Sequence, residues 1–104
     1  MRASHLVQIL LPKETGGGEL ISQAWFESLM KELANEFGGA TSFVRFPGQG
    51  LWQSGGATER DNIAVVEAMT ERLEPEFWQS LRERLEAELR QEEIVIRAQE
   101  IIVL

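Results

Sequence analysis

The sequence contains no cysteine and a single histidine, His5, among its 104 residues. The first absence excludes disulfides, thiolate nucleophiles and cysteine metal sites. With one histidine, a transition-metal site or a Ser-His-acid triad would depend on His5 alone, so no metal and no other cofactor is implied. Basic residues are also scarce: 10 against 17 acidic ones, a formal charge of −7. Such a surface repels phosphate backbones, which argues against a nucleic-acid partner. No segment approaches the ~20 apolar residues of a membrane span. The opening MRASHLVQILLPKE lacks the apolar run and small-residue cleavage pattern of a signal peptide. The expectation is a cytoplasmic chain without a membrane partner.

What is present suffices for one core. The 43% hydrophobic content over 104 residues fits a single domain, 1–104. Leu6 to Leu11 is apolar apart from Gln8 and reads as a strand stopped by Pro12. Three glycines then make a flexible connection. Ser22 suits a helix N-cap, and Phe26, Leu29, Met30, Leu33 and Phe37 recur at helical spacing. Gly38 and Gly39 end that helix. Ala40 to Phe46 and Asp61 to Met69 read as a strand pair across a long loop, Pro47 to Thr58. Pro75 opens a second helix with the stripe Trp78, Leu81, Leu85 and Leu89. Its outer pairs Arg82/Glu86, Arg84/Glu88 and Glu86/Arg90 are expected to form a solvated face. Glu93 to Leu104 closes the chain as a strand. This order predicts an α+β, ferredoxin-like βαββαβ sandwich, an antiparallel four-stranded sheet with two helices on one face.

Alternation along the strands sorts the sheet residues into two sets. Val7, Ile9, Val44, Phe46, Ala64, Val66, Ala68, Ile94, Ile96 and Ala98 are all apolar and suit the helix-facing side. Leu6, Gln8, Leu10, Phe43, Arg45, Ile63, Val65, Glu67, Val95, Arg97 and Gln99 mix large apolar groups with polar ones. A face of that kind calls for cover. A second copy packed through this open face would supply it and enclose a dimeric α/β barrel.

The polar groups of the open face define the candidate site. If the hairpin is symmetric about residue 56, Arg45 lies opposite Glu67. Strand order then brings Gln8 beside both Glu67 and Arg97, with Gln99 nearby. Such a group could take a small anionic or carbonyl ligand, with Glu67 as general base and an arginine stabilising the anion. The same residues also read as a buried ion-pair network that fixes dimer register. Trp52, in a loop with four glycines between Pro47 and Thr58, is a candidate lid over the ligand or a plug for one end of the barrel. That loop matches neither a nucleotide P-loop nor a dinucleotide fingerprint. His5, at the start of the first strand, is the other candidate base, with a structural role as its alternative.

The segments FGGATSF, GLW, RDNIAVVEAM and RQEEIVIRAQEI together resemble a group of small bacterial proteins of unassigned function with a ferredoxin-like fold. The resemblance spans about Phe37 to Ile101. It implies the fold and a dimeric α/β-barrel assembly, and it carries no activity or catalytic residue with it.

Three readings follow. One is a small-molecule binding or sensing protein that uses Gln8, Arg45, Trp52, Glu67 and Arg97. Another is a cofactor-independent enzyme, an isomerase or monooxygenase of the dimeric α/β-barrel type, with Glu67 or His5 as base. The third is a non-catalytic assembly module.

Overall fold

The structure is a computed structural model and describes residues 2–37, 42–45 and 63–104. Over these residues it is α+β: an antiparallel sheet carrying two helices. Chain order is β1 (Arg2–Pro12), α1 (Gln23–Glu36), β2 (Ser42–Arg45), β3 (Ile63–Thr70), α2 (Pro75–Leu89) and β4 (Val95–Val103). The strands lie in the order β2-β3-β1-β4. The centre of the sheet is β1, in continuous antiparallel register with β3 on one side and β4 on the other. Short β2 adds to the far side of β3. The arrangement is compatible with a ferredoxin-like fold.

The all-apolar strand set packs under the helices. Val7, Ile9, Ala64, Val66, Ala68 and Ile94 are buried in one cluster with Phe26, Leu29 and Leu33 of α1 and Trp78, Leu81, Leu85 and Leu89 of α2. Alanines at 64 and 68 let helix side chains approach the sheet closely. Burying each large apolar side chain contributes roughly 1.5–3 kcal/mol. Ala98 departs from expectation, being exposed on outer strand β4. Positions 44 and 46 and the loop 47–58 lie outside the residues whose side chains are described.

Helix ends follow local chemistry. Ser22 caps α1, its hydroxyl accepting from the Trp25 amide at 3.1 Å. The C-cap is Phe37, whose ring stacks on Trp78 with centroids 5.2 Å apart. Gly38 and Gly39, expected to end this helix, lie outside the described residues. Pro75 stands at the start of α2 as expected, but the C-cap is Arg90 in the left-handed region, with φ 55°.

The expected flexible triple-glycine connection is an ordered turn instead. The Gly16 amide donates to the Leu89 carbonyl at 2.9 Å, which docks the turn on the C-terminal end of α2. A Cβ on Gly16 would sit 2.0 Å from the Arg90 carbonyl oxygen, so only glycine permits this approach. Gly18 has φ +87°, where an L side chain is strained.

The charged residues of α2 do more than coat a solvated face. Arg84 forms a two-pronged bond to Glu32 of α1 at 2.8 and 2.6 Å and lies 3.6 Å from Glu88. Glu86 accepts from the Ile94 amide at 2.9 Å, tying α2 to the approach to β4. Among the described residues, Arg82 Nε has no hydrogen-bond partner. Long arginine and glutamate side chains reach neighbouring elements as easily as the next helical turn, so four-residue spacing alone does not select the partner.

Candidate functional site

Three strands bring the candidate polar residues together. Gln8 on β1 has Glu67 of β3 and Arg97 of β4 as its cross-strand partners. The Gln8 Nε2 donates to Glu67 Oε2 at 2.6 Å, and Arg97 Nε donates to Gln8 Oε1 at 2.8 Å. A carboxylate only accepts and a guanidinium only donates, so the amide can turn only one way. With its nitrogen toward Arg97 and its oxygen toward Glu67, both bonds would become repulsive.

Accessibility rises steadily across this chain. Glu67 is 4% exposed, Gln8 is half-buried and Arg97 is exposed. A buried carboxyl group needs hydrogen-bond partners in place of the water it loses. The Gln8 amide supplies one donor and also links the carboxylate to the guanidinium. Arg97 keeps two terminal nitrogens that bond to none of the described residues, where an anion or a carbonyl oxygen could be received in the forked geometry guanidinium favours. Half-buried Leu6 and Leu10 and the 45% exposed Val95 flank it with apolar surface.

The remaining candidates are placed differently. The hairpin register sets Phe43 opposite Glu67 and Arg45 opposite Val65, so Arg45 is displaced by two residues from the expected pairing. A two-residue slip preserves alternation, and alternation therefore cannot detect it. His5 pairs with Thr70 and Glu100 and alternates with Gln8, on the helix-facing side of β1. The structure thus separates His5 from the Gln8 group. Trp52 lies outside the described residues.

One feature of the other end of the sheet was not legible in the sequence. His5 Nδ1 and Thr70 Oγ1, on paired positions, are both buried without a partner among the described residues. Nearby, a cavity of about 620 Å³ is lined by residues including Ser4, Phe37, Thr70, Arg72 and Glu74. It forms where β1, the end of α1 and the β3–α2 connection converge, a meeting of segments that no local pattern announces. Among the described residues, no group of three His, Cys, Asp or Glu side chains could hold a metal ion, and no helix is long and apolar enough to cross a membrane.

Comparison with family models, curated proteins and solved structures finds no match. The functional reading rests on this geometry.

Proposed function

We propose that the protein is a small-molecule binding or sensing protein of ferredoxin-like fold, with its site on the sheet face opposite the helices. Its ligand is a small anion or carbonyl compound taken by Arg97, with Gln8 and Glu67 holding the guanidinium in place. One observation supports this reading: Arg97 is held by Gln8 through Nε, while among the described residues its outer nitrogens have no partner and can take a ligand. The reading includes a cytoplasmic homodimer.

The enzymatic alternative places Glu67 as general base. It requires the carboxylate to reach substrate, whereas Glu67 is 4% exposed and receives the Gln8 amide. Burial and that bond favour binding over proton abstraction. The test is a thermal-shift screen of small carboxylates and keto acids on the wild type, Arg97→Ala and Glu67→Gln. A compound that raises the wild-type midpoint and fails to raise that of Arg97→Ala supports the site, because selective binding to the native state stabilises it. Turnover of such a compound that Glu67→Gln abolishes, with binding retained, would favour the enzyme. A screen without a hit, with the variants altering only self-association, would favour an assembly role.

A further inference from the structure

We infer that a second copy of this chain docks on the outer edge of β4, pairing the two strands antiparallel about Gln99. The inference rests on the homodimer included in the proposed function and assigns its interface. Alternation alone points to packing through the open face, but the exposures locate the need for cover elsewhere. On that face Glu67 is buried and Leu6, Gln8, Leu10 and Val65 are half-buried. By contrast, β4 is exposed on both faces: Val95, Arg97 and Gln99 on one, Ala98, Glu100 and Ile102 on the other. Val95 is 45% exposed and Ile102 64%.

The outer edge of β4 pairs with no described strand. An unpaired edge presents amides and carbonyls ready for another strand, and natural edges are commonly blunted by proline, bulges or charge. β4 contains no proline, its nine residues run in unbroken register against β1, and its charges are Arg97 and Glu100.

Those two charges select the register. With a two-fold axis at position 97 or 100, Arg97 or Glu100 would face its own copy, and like charges directly opposite destabilise a strand pair. An axis at Gln99 avoids both clashes and spans the whole strand, since 99 is the midpoint of Val95–Val103. It sets Val95 against Val103 of the second copy, Ile96 against Ile102, Arg97 against Ile101 and Ala98 against Glu100, with the two Gln99 side chains able to bond amide to amide. Exposed Val95 and Ile102 thereby each gain an apolar neighbour. An axis at Ala98 leaves Val103 overhanging and puts Ile96 against Glu100. The pairing forms on the order of ten main-chain hydrogen bonds. It buries less than the ~800 Å² per partner of a standard interface, so the dimer should be concentration-dependent. Both open faces remain uncovered on the same side of the joined sheet, accessible to ligand.

The chain has no cysteine, which makes single-cysteine crosslinking free of background. Residues directly opposite in an antiparallel pair have Cα atoms about 4.5–5.5 Å apart, within disulfide reach, whereas sheets packed face to face lie about 10 Å apart. The experiment combines sedimentation of the wild type over a range of concentrations with mild oxidation of full-length Gln99→Cys, and of Arg97→Cys as an off-axis control. A concentration-dependent dimer, with covalent dimer from Gln99→Cys in several-fold excess over Arg97→Cys, is the expected result. A wild-type dimer with no Gln99→Cys excess would overturn the edge interface and leave the homodimer standing. A wild type that stays monomeric at every concentration would overturn both. Ligand stabilisation is measured separately and depends on neither outcome.

Discussion

The Gln8 side chain donates to Glu67 at 2.6 Å while accepting from Arg97 at 2.8 Å. One amide thus joins a buried carboxylate to an exposed guanidinium across three strands. Removing it with Gln8→Ala deprives Glu67 of a donor in a site where water does not readily replace it. Hydrogen bonds to charged groups contribute about 1.5–3 kcal/mol, and a loss of that size is expected in urea unfolding, seen as a lower midpoint with unchanged slope. An unchanged midpoint would mean that the bond carries no net stability.

The turn at Gly16 supplies an independent test of the fold. Gly16→Ala cannot place its Cβ without displacing the Arg90 backbone, 2.0 Å away at the carbonyl oxygen. A loss of roughly 1–3 kcal/mol is expected, typical of overpacking. Gly18→Ala meets no atom within 4 Å and is penalised only by its positive φ, about 1–2 kcal/mol. Thermal unfolding of the two variants would show both losses. Wild-type stability in Gly16→Ala would contradict the docking of this turn on α2.

Glu86 is expected to matter more than its place on a helix surface suggests. Its Oε2 accepts from the amide of Ile94, a residue only 2% exposed. Glu86→Ala leaves that amide without its partner, at a cost of about 1–3 kcal/mol, and should speed hydrogen exchange at Ile94. Exchange at the wild-type rate would refute this coupling.

The Arg84–Glu32 bridge joins the two helices, but its side chains are 46% and 39% exposed. Solvent screening limits such a pair to roughly 0.2–1 kcal/mol, measurable in a double-mutant cycle and reduced by salt. The hydrogen bond to Glu32, reinforced by its charge and that of Glu88, raises the Arg84 pKa above its ordinary value. A raised folded-state value gives stability that is fully present below the unfolded pKa and lost only as pH climbs through the folded one. Titration of Arg84 should therefore leave stability flat across the neutral range. A coupling energy that changed there would have to come from another group.

Much of this architecture was legible because the sequence patterns are local. Alternation in LVQILL and IAVVEAM marked the buried positions of β1 and β3, and Ser22 and Pro75 marked two helix starts. The Gln8–Glu67–Arg97 group could be anticipated because strand order and alternation set those three residues side by side. Other features depend on contacts between distant segments. Arg45 slipped by two because alternation has period two and leaves such shifts unseen. The triple glycine looked like a flexible link, since the reason for Gly16 is the Arg90 carbonyl 74 positions away. Arg84 found Glu32 on the other helix for the same reason.

The central claim is that a small carboxylate binds on the open sheet face at Arg97. Its most direct test is an NMR titration of the full-length chain with pyruvate, following the backbone amides of wild type and Arg97→Ala. The account predicts saturable shifts centred on Gln8, Arg97 and Gln99 in the wild type, lost in the variant. Shifts centred instead on His5 and Thr70, or none at saturating pyruvate, would contradict it.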